Sequence, residues 1–320
     1  MKKVGFIGLG TMGFAMALNV HKAGYSMVLP VYRRDIDQST SFTPTIPDEQ
    51  TKAALYDEML SDGVAAQTPA ELFAQSDFIM ISMPTSKQVE LNMYGEDGII
   101  ANAKPGTIVI DLTSADASST QKLYAACLEK GISLLDAPVS GGQKGAVGGS
   151  LSIMVGGGRD AFEKAKEVLF AIGDENKVKY VGPSGAGDAL KCANNFLSCT
   201  CLLATAEALT TLKAAGIDPH TACEVISASG GQSNASSFKF PNLVFTGVGM
   251  NMAVDLMKKD IGLYTGLAKE LKVPGFYGNV TYNLFDIQSA SGHGGDDFNK
   301  VVEMFEDWTG QKLVGIDSEE

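Results

Sequence analysis

The sequence predicts an α/β protein in two parts: a parallel-sheet domain over residues 1–185 and an all-helical domain over 186–320. Three observations carry this. In the first half, short apolar runs alternate with helical stretches, the spacing of βαβ units around a parallel sheet. A Gly/Pro-rich break, GPSGAG, falls at 182–187. Beyond it, one helical register runs from Asp188 to Ala215 without Pro or Gly, with Gly216 placed to end it.

The strands follow in order. Residues 3–7, 26–32, 77–82 (DFIMIS), 107–111 (TIVID) and 132–135 read as continuous apolar runs, as strands buried on both faces should. Residues 150–155 and 177–181 read as closing strands. Helical patterns lie between them at 11–23, 69–75, 86–93 and 116–130. Segment 36–61 is long for a connection in such a sheet. It carries Pro44 and Pro47, then a helical stretch from Asp48 to Leu60, and reads as a surface insertion. In the second half, helices are expected at about 218–227, 252–272, 274–290 and 296–308.

Composition narrows the function. With 25 basic and 37 acidic residues among 320, the net charge is −12, which disfavours nucleic acid or an anionic membrane as partner. Five scattered cysteines without a CxxC pair read as buried thiols in a reducing compartment. Three distant histidines lack metal-ligand spacing, so no metal is implied. Lys2 and Lys3 lead straight into a strand rather than a signal peptide, and no apolar run approaches the ~20 residues of a membrane span. A cytoplasmic protein is the expectation.

The first strand runs into VGFIGLGTMG, which sets Gly8, Gly10 and Gly13 in GxGxxG spacing between a strand and a helix. That context marks a Rossmann-type dinucleotide site. Gly8 permits the tight turn, Gly10 lets backbone approach a pyrophosphate, and Gly13 permits close helix–strand packing. Leu9, Thr11 and Met12 complete the loop, whose helix offers free N–H groups to an anion. After the second strand stand Arg33, Arg34 and Asp35. Two arginines suit a ribose 2′-phosphate and favour NADP(H). If Asp35 takes the ribose hydroxyls instead, the cofactor is NAD(H).

Four further blocks line up with one family: DLTS at 111–114, DAPVSGGQKGAVGGSLSIMVGG at 136–157, GAGDALKCANN at 185–195 and KDIGL at 259–263. With GLGTMG they resemble the β-hydroxyacid dehydrogenases, nearly end to end and in family order. That family pairs a Rossmann-type domain with an all-helical one. The chain departs from the family in the length of the segment after Arg34, and the arginine pair sits about two residues late because of Leu29-Pro30.

The resemblance implies roles. The family's catalytic lysine lies in GxGxxxKxxxN, here Gly185, Gly187, Lys191 and Asn195. Lys191 and Asn195 stand i,i+4 and share a helix face. Lys191 lies in an apolar stretch, where desolvation brings a lysine toward the pKa of a working proton shuttle. Ser140, Gly141 and Gly142 resemble the family's carboxylate-binding loop, in which glycines let N–H groups converge on an anion. Thr113 and Ser114, and Met83 and Pro84, close two strands where the family flanks the cofactor. Lys259 is expected to reach the cofactor, and Asp260 to support Lys191. Gln232 and Ser233, in SGGQS, are weaker candidates on the substrate side.

The expected function is an NAD(P)-dependent oxidoreductase interconverting a small 3-hydroxy acid and its semialdehyde. It would act as a homodimer or homotetramer, because the helix at 188–215 is apolar over much of its circumference. The rivals are an imine-reducing or phosphogluconate-type relative on the same fold, and a non-catalytic nucleotide-binding scaffold. Lys191 speaks against the imine reductases, and the shorter helical domain against the phosphogluconate enzymes.

Overall fold

A computed structural model describes residues 1–30 and 49–319. It divides into two compact units, Met1–Lys191 and Cys192–Glu320.

Among the described residues, the first unit is built on a nine-stranded sheet. Its strands are β1 (Lys3–Ile7), β2 (Ser26–Pro30), β3 (Val64–Ala66), β4 (Phe78–Ile81), β5 (Ile108–Asp111), β6 (Ser133–Asp136), β7 (Val139–Ser140), β8 (Leu151–Gly157) and β9 (Gly173–Gly182). The order is β3-β2-β1-β4-β5-β6-β8-β7, with β9 on β8. Strands β3 to β6 along that order pair in parallel, whereas β8 runs antiparallel to β6 and β7. The chain order reverses between β1 and β4, so the loop leaving β1 opens at the topological switch point where such sheets bind ligands.

The apolar runs form strands because their alternate residues feed two cores. Val4, Phe6, Met27, Leu29, Phe78, Met80, Ile108 and Ile110 pack on one face. Val28, Ile79, Ile81, Val109 and Leu134 pack on the other. The helices described around the sheet are α1 (Thr11–Lys22), α2 (Glu49–Met59), α3 (Pro69–Gln75), α4 (Ser86–Met93), α5 (Ile99–Asn102), α6 (Ala117–Glu129), α7 (Gly142–Val147) and α8 (Arg159–Phe170).

Residues 36–48 lie outside the described residues; beyond them, helix α2 bears out the helical stretch read from Asp48 to Leu60, and its burial corrects the reading of that part as surface. Tyr56 and Met59 are buried in the same core as Phe6 and Phe14, and Tyr56 donates a 2.5 Å hydrogen bond to the Pro30 carbonyl. The short β3 that follows, and helices α5 and α7, were not read from the sequence. Each is too brief to show a period.

The long helix α9 (Ala186–Ala214) enters the second unit, which adds α10 (Pro219–Ser227), α11 (Val254–Glu270), α12 (Phe276–Gln288) and α13 (Lys300–Thr309). By length and composition α9 could cross a membrane, contrary to the expectation that no segment would. Its apolar side instead builds a core: Cys199, Leu202, Leu203, Ala206 and Leu209 are buried with Phe240, Phe285, Val301 and Phe305. A π-helical segment, Ala235–Val244, was also unforeseen. It holds Pro241, which lacks an N–H and argues against a regular α-helix in sequence. The wider turn tolerates it. All five cysteines are free thiols, four of them buried.

Candidate active site

The glycine loop is shaped by contacts that leave no room for side chains. Gly8 has φ +86°, and a Cβ there would lie 2.0 Å from the Ser82 carbonyl oxygen. At Gly13 it would lie 1.8 Å from the carbonyl oxygen of Gly8. At Gly10 it would meet nothing within 4 Å, so the loop opens at its centre. Gly10 is also the cap of α1, in extended conformation, and neither a capping side chain nor an acidic residue occupies the first turn. The uncapped N–H groups and the open approach over Gly10 fit a pyrophosphate. Leu9 and Met12 are partly buried and pack on the core, so their part in the loop is to anchor it.

Beside this loop, Thr113 Oγ1 accepts a 3.0 Å hydrogen bond from the Met83 N–H, tying the ends of β4 and β5 together. Pro84 and Ser114 flank these two residues. Arg33, Arg34 and Asp35 lie outside the described residues.

Ser140 ends β7. Gly141 and Gly142 follow with φ +134° and +61°, a left-handed pair that glycine accommodates. A Cβ at Gly142 would meet nothing within 4 Å. Upstream in the same segment, Asp136 is fully buried at the end of β6. Its carboxylate accepts the N–H groups of Gly185 (2.9 Å), Gly187 (2.8 Å) and Asp188 (3.2 Å), which are the start of α9. A Cβ on Gly187 would come within 2.9 Å of an Asp136 oxygen, and one on Gly156 within 2.5 Å. These two glycines therefore make room for a carboxylate. Burial raises the Asp136 pKa against the lowering effect of those N–H groups.

Asp188, buried beside it, accepts from the Ala115 N–H at 3.1 Å and from Thr120 Oγ1 at 2.7 Å. Burial, reinforced by the charges of Asp136 and Asp111, drives its carboxyl well above the usual carboxylate range. One residue, Asp136, thus fixes both the strand that leads into Ser140-Gly141-Gly142 and the helix that carries Lys191. Lys191 is 8% exposed.

The second unit supplies an amide–carboxylate pair. Asn195 Nδ2 donates to Asp260 Oδ2 at 2.6 Å, and both residues are buried. A carboxylate only accepts, so this bond fixes the orientation of the Asn195 amide. Its Oδ1 accepts from Asn194 at 3.3 Å. Lys259 Nζ lies 2.9 Å from Asp260 Oδ1, close enough to pair charges although off hydrogen-bond geometry. Asp260 thus receives both Asn195 and Lys259. Phe196 stacks on Tyr264 with centroids 4.1 Å apart, holding α9 against α11.

Ser233 is taken up in the start of the π-helical segment: its Oγ accepts from the Ser236 N–H (3.2 Å), and its own N–H donates to Ser236 Oγ (3.0 Å). A cavity of about 440 Å³ between α11 and α12 contains none of the predicted site residues. Among the described residues no three metal-ligating side chains gather. Sequence reading passed over Asp136 and Asp188. Both stood inside motifs quoted for other residues.

A dinucleotide-binding α/β unit joined to an all-helical unit, with a buried lysine on the shared helix, defines a nicotinamide-dependent oxidoreductase class. Residues 3–182 match the family described as the NAD binding domain of 6-phosphogluconate dehydrogenase, and residues 185–305 that described as NAD-binding of NADP-dependent 3-hydroxyisobutyrate dehydrogenase. The chain is 36% identical over 314 residues to 2-(hydroxymethyl)glutarate dehydrogenase of Eubacterium barkeri, covering 98% of each. It is 33% identical to NAD-dependent L-serine dehydrogenase of Pseudomonas aeruginosa, covering 97% of this chain and 100% of that one. Among solved structures it resembles 3-hydroxyisobutyrate dehydrogenase of Mycobacterium tuberculosis, with L-serine, at TM-score 0.79 and 25% identity over 95% of this chain and 99% of that one. The chain belongs to the β-hydroxyacid dehydrogenase family, a family of NAD(P)-dependent dehydrogenases.

Proposed function

We propose that this protein interconverts a small 3-hydroxy acid and its semialdehyde, with Lys191 as the general acid/base. The observation that carries the reading is a lysine 8% exposed, one helical turn from an asparagine whose amide is locked by Asp260. Such a lysine is held rather than solvated, as a proton-transfer group must be.

When bound, nicotinamide accepts or supplies a hydride at its C4. In oxidation the neutral Lys191 amine would take the proton of the substrate hydroxyl. In reduction the ammonium returns that proton to the carbonyl oxygen. Asn195 orients substrate oxygen and amine, its direction set by Asp260. Ser140, Gly141 and Gly142 hold the substrate carboxylate through the serine hydroxyl and backbone N–H groups. Gly8 to Gly13 cradle the pyrophosphate, and Arg33 with Arg34 selects NADP(H) over NAD(H). Lys259, beside Asp260, would help to hold the cofactor. Leu197 on α9 and Phe276, Tyr277 and Val280 on α12 are exposed apolar side chains that a second copy would cover, which favours a homodimer or homotetramer.

The test is oxidation of NADPH and NADH with methylmalonate semialdehyde and tartronate semialdehyde, by wild type and Lys191→Ala. Wild-type turnover with NADPH preferred, and loss of about 10²–10⁴-fold in kcat with cofactor binding retained in the variant, is expected. Equal rates in both proteins overturn the mechanism.

A further inference from the structure

Helix α7 is six residues long, too short to hold its place alone. It begins at Gly142, so the Ser140-Gly141-Gly142 loop runs straight into it. Two successive glycines give that loop no side chain with which to anchor itself, and its position is set from its two ends. On one side, Ser140 pairs with Ser152 in the antiparallel ladder of β7 and β8. On the other, α7 lies against α1, and Ala146 is fully buried in the core that holds Ala15 and Met16.

A side chain of α1 fixes that packing. Asn19 Nδ2 donates to the Ala146 carbonyl at 2.7 Å and to the Val147 carbonyl at 3.4 Å. Both carbonyls belong to the last turn of α7, where a helix has no N–H of its own left to supply. The chain then turns beside the amide at Gly149, φ +59°, where a Cβ would lie 3.6 Å from Asn19 Nδ2 and 3.3 Å from the Ala171 carbonyl oxygen. Asn19 stands about 12 Å along the axis from Thr11. One rigid helix thus opens at Gly10, where the pyrophosphate is expected, and grips the end of α7 two turns later.

We infer that Asn19 is a positioning residue: it clamps α7 to the cofactor helix and so holds Ser140-Gly141-Gly142 where the substrate carboxylate meets them. This rests on the carboxylate role proposed above for that loop. Without the clamp, α7 slides on α1 and the loop grips the carboxylate less well, while the glycine loop at the other end of α1 keeps its shape. The loss therefore falls on the substrate and spares the cofactor. It lies in KM more than in kcat, because the carboxylate is held alike in ground and transition states.

The experiment compares wild type with Asn19→Leu, which keeps the size and removes the donor, and Asn19→Gln, which keeps an amide on a longer stem. Turnover is measured with methylmalonate semialdehyde and with 2-methylpropanal, in which methyl replaces the carboxylate. NADPH binding is followed by fluorescence titration, and hydrogen exchange of the peptides spanning 3–14 and 139–149 by mass spectrometry. Asn19→Leu should raise KM for the semialdehyde by about 10-fold or more, change kcat/KM for 2-methylpropanal by less than about threefold, and bind NADPH within about twofold of wild type. Exchange should quicken in 139–149 and stay at the wild-type rate in 3–14. Asn19→Gln should recover part of the KM. Equal losses on both aldehydes, an unchanged KM, or NADPH binding weakened as much as the semialdehyde overturns the inference. A wild type indifferent to the carboxylate overturns the role of the loop instead. Exchange in 139–149 then decides the clamp: quickened in Asn19→Leu it upholds it, unchanged it overturns it.

Discussion

Replacing Asp136 by Asn removes one oxygen from a carboxylate whose protein partners at the start of α9 are all donors. Oδ1 accepts from Gly185, and Oδ2 from Gly187 and Asp188. Whichever way the new amide turns, its NH2 must face at least one N–H. The best orientation keeps Gly187 and Asp188, loses one charge-assisted bond, and strands a buried N–H, for a cost of about 3–5 kcal/mol. Asp188→Asn is the control one helix position away. There the amide oxygen can take the Ala115 N–H while the NH2 donates to Thr120 Oγ1, whose hydroxyl turns to accept. This substitution should cost less than about 1 kcal/mol.

The two variants also differ with pH. The Asp188 carboxyl titrates well above its unfolded value of 3.8, so the neutral form is the one the fold favours. Its contribution to stability is complete below that unfolded value and is lost as pH rises through the raised folded pKa. Asn cannot ionise, so Asp188→Asn should flatten the stability curve on that side and match or exceed wild type above it. The assay is a calorimetric melting series across pH 4–9 on wild type and both variants. At about 2–4 °C per kcal/mol for a unit of this size, Asp136→Asn should melt about 6–20 °C lower. Equal melting of Asp136→Asn and wild type, or equal damage from both substitutions, would refute the reasoning.

Three further outcomes follow from the site. Gly13→Ala should fail to fold stably because its Cβ would meet the Gly8 carbonyl at 1.8 Å, whereas Gly10→Ala should fold normally and bind cofactor at least about tenfold more weakly by titration. Arg33→Ala with Arg34→Ala should raise KM for NADPH by about 10-fold or more and leave that for NADH nearly unchanged, read by steady-state kinetics. Asn195→Asp would set a second carboxyl 2.6 Å from Asp260, forcing the pair to share a proton. Its pH–rate profile should show kcat falling as pH rises through the new shared ionisation, and a profile identical to wild type would remove Asn195 from the mechanism.

What the sequence revealed and what it concealed divide along physical lines. Long periodic elements such as α1, α6 and α9 were legible because their own residues carry the pattern, and the strands were legible because both faces are buried. The glycine loop was legible because its three glycines fall within one short motif between a strand and a helix, although only Gly13 answers a contact inside it, to Gly8, while Gly8 answers the distant Ser82 carbonyl. Gly185 and Gly187 were recognised too, but only as parts of a motif. Their reason is a carboxylate 49 and 51 residues earlier, reached through backbone N–H groups that every residue except proline possesses. A side chain paired to such groups leaves no complementary residue type in the sequence, so no spacing rule exposes it. A motif read only for the residues that touch ligand therefore misses those that set the distance between them. In this chain that distance, between Ser140-Gly141-Gly142 and Lys191, depends on Asp136 at one end of both.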